Sequence, residues 1–436
     1  MLNTEAIPMG AQAVAPWANA TPHAVAITEG QDSYTYETFA SRIAQAAAMS
    51  RSAGLRQGMI VGTRCDAQYL HFVPILASEV IRGTHFSMAP SDLMFDSELS
   101  DRCDMMCVET LTEPVAKHPR VIVVSRATIG ELTRLRTDGT ATTALEACQT
   151  QDMIVRIATT SCTTGHRKFV GNTRRSIQHI VAGARYALKN NRDRHGFVSM
   201  YRFNLIGTYL DALLAIGYGM TVAYCTKEDF LPTLRRLPSC RTMLLLNEAS
   251  FVALMDHDPV GTILPDAEVK IVDDMMRTRN TGEPGIIMIR SPRLVTGYLW
   301  DDALDAEYFI DGWFRSSDIG VIPEPGKLIV IGRVDDILNI GALKVAAFPI
   351  EEGIRSIGGV AGTVVLNAAN THGVDEAHVF IERRDPALDG RIDQALVALP
   401  RRHVTTFAAH HATRFPRAPT GKAQRDRLRD RLSQKA

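Results

Sequence analysis

The ten residues Thr159-Thr160-Ser161-Cys162-Thr163-Thr164-Gly165-His166-Arg167-Lys168 follow a short apolar run and are dense in hydroxyls and small side chains. Backbone N–H groups and Ser/Thr hydroxyls in such a loop can wrap phosphate oxygens, while Lys168 adds charge. The GxxxxGK[ST] spacing of the common phosphate loop is missing, and a hydroxyl-rich surface turn is an equally plain reading. A second stretch, Trp313-Phe314-Arg315-Ser316-Ser317-Asp318-Ile319-Gly320, offers a carboxylate on an expected turn that could accept both hydroxyls of a ribose. Taken alone, an Asp before a turn is usually a turn-former. A third, Gly332-Arg333-Val334-Asp335-Asp336 with Gly341-Ala342-Leu343-Lys344-Val345 and Ile350-Glu351, joins a guanidinium fork, a polar hinge and a glycine that permits close approach. The fourth, Phe415-Pro416-Arg417-Ala418-Pro419-Thr420-Gly421-Lys422, holds a lysine on a Pro/Gly loop before a charged helix, or is simply a solvated basic tail.

The elements that must position these groups alternate. Tyr34 to Ala53 predicts a strand end and an amphipathic helix, Leu70 to Val80 a second helix, and Arg120 to Ser125 a short buried strand. Met153 to Ala158 predicts the strand that leads into the hydroxyl-rich loop, with helices over Ile177 to Leu188 and Gly207 to Ile216. Strands alternating with helices predict an α/β layer fold. After about Pro265 short strands (269–272, 285–290, 314–315, 328–331) between Gly, Pro and Asp turns suit a small antiparallel sheet or barrel. The last hundred or so residues mix strands (363–367, 378–382) with helices, and a domain boundary is expected near Arg333 to Asp336. No internal repeat or low-complexity segment interrupts this order.

Composition narrows the class. With 48 basic and 48 acidic residues the chain has no net charge to draw it onto nucleic acid or a membrane. No apolar run approaches the roughly 20 residues of a membrane helix, and Met1 to Ala20 lacks the pattern of a secretory leader. The seven cysteines are odd in number and scattered, and Cys103 and Cys107 have no second pair to complete a zinc site. Free thiols in a reducing cytoplasm are the expectation.

In this order the four stretches resemble the adenylate-forming superfamily of acyl-CoA synthetases, peptide-synthetase adenylation domains and luciferases, whose loop commonly reads [ST]SG[ST]TGxPKG, followed by TGD, GRxDD and PxxxxGK elements. Tyr34-Thr35-Tyr36 with Phe39 looks like the early TYxEL element, so the resemblance covers nearly the whole chain. It implies a large N-terminal α/β domain with a small β-barrel-like part (1–332), and a small mobile α+β C-terminal domain (333–436). It implies ATP and Mg²⁺ as cofactors, and activation of a carboxylic acid as its acyl-AMP. Transfer to a thiol, of coenzyme A or a phosphopantetheine carrier protein, would follow. By the same resemblance Ser161, Thr163, Thr164, Gly165 and Lys168 hold phosphates, Glu248 with Thr164 binds magnesium, and Asp318 and Arg333 bind ribose. Asp335 is the hinge, Lys422 with Glu248 is catalytic, and Gly341 and Lys344 face the thiol. Asn204 and Gly207 belong to the acid pocket. Partners implied are a small acid, a carrier protein and a second copy of the chain, with neither nucleic acid nor membrane.

The sequence departs from that pattern at several points. Cys162 replaces a loop glycine, at about 1–2 kcal/mol if positive φ is needed there. Arg167, Phe169 and Ser317 replace Pro, Gly and Gly, and Asn204 stands where His or an aromatic residue is usual. The interval from Gly207 to Glu248 is short, where relatives usually carry another strand–helix unit. These features favour a small or aromatic acid with a polar group over a long fatty chain. An amine or other nitrogen acceptor, a nucleotide-binding regulator without turnover, and a structural partner of an active paralogue are the competing readings.

Overall fold

The computed structural model describes residues 8–88, 100–111, 113–125, 145, 150–160, 168–187, 196–226, 228–236, 243–244, 260–334, 337–340, 343–369, 375–383, 385–398, 407–417 and 423–433. In chain order the first elements are α1 (Ala11–Ala20), β1 (Val25–Glu29), β2 (Asp32–Thr35), α2 (Tyr36–Ser52), β3 (Ile60–Arg64), α3 (Gln68–Val80), β4 (Thr84–Ser87), β5 (Met105–Val108), α4 (Glu113–Ala116), β6 (Val121–Val123), β7 (Ile154–Thr160), β8 (Lys168–Thr173), α5 (Arg174–Ala187), β9 (Gly196–Ser199), α6 (Ile206–Gly217), β10 (Thr221–Tyr224), α7 (Phe230–Arg236) and β11 (Met243–Leu244). Then come β12 (Val260–Thr262), β13 (Glu268–Val272), β14 (Gly285–Arg290), β15 (Tyr298–Leu299), α8 (Asp302–Tyr308), β16 (Phe309–Ile310), β17 (Trp313–Val321) and β18 (Lys327–Arg333). The chain ends with β19 (Ile337–Ile340), β20 (Leu343–Ala346), α9 (Ala347–Arg355), β21 (Val360–Ala369), β22 (Asp375–Arg383), α10 (Asp389–Ala398), β23 (Phe407–Ala412) and α11 (Arg425–Ser433).

The described residues fall into two compact units, the first drawn from Met1–Thr160, Arg167–Leu246 and Ser291–Asp305, the second from Asn247–Arg290 and Ala306–Ala436. The first contains two sheets, in the orders β11-β9-β10-β1-β2 and β15-β8-β7-β4-β3-β5-β6. Strands β9, β10, β11 and β1 run parallel, as do β3 to β7, while the β1/β2 and β7/β8 pairs are antiparallel. Parallel strands covered on both faces read as unbroken apolar runs, and Met105–Val108 is buried at every residue. Every residue of α3 is buried too, as expected of a helix enclosed on all sides. Its N-terminus is held by two carboxylates: Glu29 accepts from the Gln68 and Tyr69 amides at 2.7 and 3.1 Å, and Glu109 from those of Asp66 and Ala67 at 2.7 and 2.9 Å. The Tyr34-Thr35-Tyr36 element works locally, because Thr35 caps α2 through the Thr38 amide and Tyr36 buries its ring while donating to the Met220 carbonyl at 2.8 Å.

In the second unit β12-β18-β17-β14-β13, with β16 beside β17, form an antiparallel sheet, and β19 and β20 form a hairpin. β21, β22 and β23 form a third sheet whose two faces bury different sets: Val365, Val379 and Ile381 lie with Ile354 and Ile392, while Val364, Leu366 and Phe380 lie with Leu428. That period of two is the signature of a sheet covered on both sides. The expected strands and helices are present, with two corrections. Val121–Val123 is not a buried strand but a sheet-edge one, with Val123 43% exposed. The strand expected at 314–315 runs nine residues, Trp313–Val321, and takes in Asp318, which therefore sits in a strand and not on a turn. Among the described residues no helix is long and apolar enough to cross a membrane.

Candidate functional site

The hydroxyl-rich loop closes an antiparallel hairpin. Thr160 and Lys168 are register partners on β7 and β8, so Ser161, Thr163, Thr164 and Gly165 belong to the connection and lie outside the described residues. Lys168 begins β8 itself, half-buried, with Nζ 5.4 Å from the centroid of the Tyr298 ring on the neighbouring β15. The departure at Phe169 has a packing reason. Its ring meets Phe86 at 5.9 Å and Trp300 at 5.4 Å, both edge-on, and fills a place a glycine would leave empty.

Asn204 and Gly207 lie at the entry to α6. The N-cap of that helix is Leu205, with no side-chain cap, so Asn204 is half-buried without serving as the helix cap. Gly207 is exposed and a Cβ there would meet nothing within 4 Å, so neither conformation nor packing demands glycine. The turn before them is fixed from two sides: Gln68 Oε1 accepts from the Phe203 amide at 3.0 Å, and Arg156 Nη2 donates to the Phe203 carbonyl.

In the second unit Asp318 and Arg333 are direct register partners across β17 and β18, with Arg333 Nη1 3.9 Å from Asp318 Oδ1 and the side chains 42% and 46% exposed. The strands can approach this closely because Gly320 has no Cβ, which would stand 2.7 Å from the Ile329 carbonyl oxygen. Ser317 replaces a family glycine without strain, since its backbone has no positive φ. Lys344 pairs in register with Asn339 on the β19/β20 hairpin. Gly341, Asp335, Glu248 and Lys422 lie outside the described residues. Of the described residues on either side of Lys422, Arg417 bridges to Ala423, and the Gln424 amide donates to the Pro416 carbonyl at 2.8 Å. Arg417 pairs with buried Glu382, and Arg425 with buried Glu351 at 2.6 Å. Asp318 and Arg333 are thus brought together, whereas Lys168, Asn204 and Gly207 belong to the other unit.

No family model matches the chain. It is 30% identical over 194 residues to a long-chain-fatty-acid–CoA ligase of Salmonella typhimurium, a match covering 42% of this chain and 34% of that protein. It is 30% identical over 178 residues to a 3-hydroxybenzoate/4-hydroxybenzoate–CoA ligase of Thauera aromatica, covering 39% and 34%. These matches span about a third of the length of the curated relatives. ATP-bound MatB from Rhodopseudomonas palustris superposes with a TM-score of 0.80 at 16% identity, over 97% of this chain and 99% of that one. Bacillus subtilis o-succinylbenzoate CoA synthetase with its acyl-adenylate gives 0.77 at 16% identity, over 96% and 98%. The chain therefore has the fold of these CoA synthetases, and part of its sequence is similar to acyl-CoA ligases.

Two features of the first unit were missed from sequence. One is a buried polar network around Arg156, which is 1% exposed. Its guanidinium lies 4.4 Å over the Tyr209 ring and 3.3 Å from His85 Nδ1, and Tyr209 in turn donates to Glu79 at 2.6 Å. Burial pushes the Glu79 carboxyl up, lowers Arg156 to about 10 and lowers His71 to about 3, so both His71 and His85 stay neutral. The signal was a lone arginine in the otherwise apolar strand Met153-Ile154-Val155-Arg156-Ile157-Ala158. The other is an open cleft of about 470 Å³ at the carboxyl ends of β1, β9 and β10, a favoured place for ligands in such sheets. Its residues come from four separate stretches of the chain, and no local motif announces it.

Proposed function

We propose that this chain uses ATP and magnesium to activate a carboxylic acid as acyl-AMP, then transfers the acyl group to a thiol of coenzyme A or a carrier protein. The observation that carries this is the Asp318–Arg333 pair: two predicted ribose ligands, fifteen positions apart in sequence, meet side by side on adjacent strands with their charged ends half-exposed. A carboxylate can accept from two hydroxyls while a guanidinium donates, so the pair fits a ribose. The ligase relatives and the ATP-bound and acyl-adenylate-bound structural neighbours support the same reading.

Attack of a carboxylate on the α-phosphate brings two anions together, so the protein's part is positioning and fixed positive charge. Lys168 and Lys422 would supply cations, the second from a C-terminal lid of residues 333–436 that turns about Asp335. Glu248 and Thr164 are oxygen donors of the kind magnesium takes, and that ion would neutralise charge as pyrophosphate leaves. Gly341 and Lys344 would face the arriving thiol. The test is acid-dependent pyrophosphate release over a panel of carboxylic acids, with coenzyme A and amines added in turn and products weighed by mass spectrometry. Release followed by a thioester is expected. An amide product would move the acceptor to nitrogen, and no release with any acid would overturn the reading.

A further inference from the structure

Of the residues predicted to hold phosphates, Lys168 alone lies among the described ones, and its neighbours show what aims it. β15 runs antiparallel beside β8, with Tyr298 opposite Val170 and Leu299 opposite Phe169. Residues two apart on a strand share a face, so Lys168 and Val170 lie on the face that Tyr298 occupies. Phe169 and Leu299 turn to the other face, where both pack against the core around Phe86 and Met106. Tyr298 is therefore the diagonal neighbour of Lys168, a separation that an aromatic ring and a long side chain can bridge. They do bridge it: Lys168 Nζ stands 5.4 Å from the centroid of the Tyr298 ring, and both residues are half-buried. The two-residue strand that carries the ring is also held from outside its ladder. Asp305 accepts from the Tyr298 amide at 2.7 Å, and a Cβ on Gly297 would collide with the same carboxylate. Just before it, the Thr296 amide donates to the Gly171 carbonyl of β8 at 3.1 Å.

We propose that Tyr298 is a positioning residue, whose ring holds the Lys168 ammonium at the end of β8, where the hydroxyl-rich loop closes, for the phosphates of ATP. The proposal rests on the ATP-dependent reading for the identity of the anion. A lysine carries its charge on a flexible four-carbon stem, and unrestrained rotation of that stem scatters the charge. A ring face engages one side of an ammonium that has three N–H donors, so the contact is compatible with a phosphate oxygen on another side. Tyr298 acts through the lysine and not on the phosphates.

The test replaces Tyr298 with Phe, and then with mono-, di- and trifluorinated Phe, which drain negative charge from the ring face while nearly keeping its shape. ATP affinity is measured by calorimetry with magnesium and no acid, so the readout does not depend on turnover. The series is run with Lys168 in place and again in Lys168→Met, with a melting curve for each variant. Relative to Tyr298→Phe, the trifluorinated ring should weaken ATP binding about 2- to 5-fold, the worth of an exposed cation–ring contact, with the other rings in order between. Melting temperatures should hold through the series. Lys168→Met should weaken ATP binding by itself and leave no dependence on fluorination. A flat series with Lys168 present, or an equal slope in Lys168→Met, would overturn the positioning role and leave ATP-dependent activation standing. Affinity that rises with fluorination would overturn it too, because the ring would then hold the lysine away from the phosphates. No ATP binding by the unaltered chain would end both readings.

Discussion

Removing the Asp318 carboxylate separates ligand binding from folding, because its pair with Arg333 is long and solvent-screened. Arg333 stands 3.9 Å away, and the two side chains are 42% and 46% exposed. Such a solvent-screened pair contributes about 0–1 kcal/mol. Asp318→Ala should therefore shift the unfolding midpoint very little. Against a bound ribose the same carboxylate would make charge-assisted hydrogen bonds worth about 1.5–3 kcal/mol, so its loss should raise the KM for ATP about 10- to 150-fold. Because the ribose contact is made equally in ground and transition states, kcat should change far less than KM. Asp318→Asn, which keeps a neutral acceptor, should fall between wild type and Ala. The assay is initial-rate pyrophosphate release against ATP concentration at saturating acid, with a urea unfolding curve for each variant. An unchanged KM would refute the ribose role. A large fall in stability with KM and kcat declining together would make Asp318 a structural residue of β17 instead.

Three further outcomes are expected. Lys422→Ala should slow acyl-AMP formation on the order of 10²–10³-fold while sparing thiol transfer from pre-made acyl-AMP, and equal loss in both single-turnover steps would refute its role as an adenylation cation. Arg156→Met leaves the Phe203 carbonyl without its described donor and removes a cation stacked on Tyr209, so it should destabilise by about 3–5 kcal/mol in urea. A double-mutant cycle with Glu79→Gln should show coupling, and a fully additive cycle would dissolve the network. Burial raises Asp211 to about 7, so the folded chain binds an extra proton between roughly pH 4 and 7, and stability is greatest below that window and lost as pH rises through it. Asp211→Asn should flatten that slope in a pH series of melting curves, and an unchanged slope would place the titration elsewhere.

How far the chain could be read in advance depended on whether the deciding interaction was local. The β7 strand, helix α3 and the alternating strands of β13, β14, β21 and β22 announce themselves through apolar periodicity, and each is present. Asp318 was placed on a turn because the residues around it, Ser316-Ser317-Asp318, are turn-formers in isolation. Pairing of β17 with β14, β16 and β18 overrides that preference and extends the strand through it. The β6 segment RVIVVS looked buried because its composition is, yet position at a sheet edge is a property of topology that no window of six residues contains.

The departures from the superfamily pattern divide along the same line. Phe169 and Ser317 cost nothing, because one fills an aromatic contact with Phe86 and Trp300 and the other sits in a strand of ordinary φ. Neither substitution therefore argues for decay of the site, however unusual each looks in an aligned motif. The buried Arg156 is different in kind. Burying a guanidinium is expensive unless its hydrogen bonds are met, and an apolar residue would serve a β-strand core at lower cost. What the arginine does that an apolar side chain could not is donate to the carbonyl of Phe203, and so fix the turn that presents Asn204 from the strand that runs into the hydroxyl-rich loop. If two predicted substrate contacts must be held in register within the first unit, a charged bolt between their supporting segments is the feature that does it. An arginine at this place is accounted for by positioning.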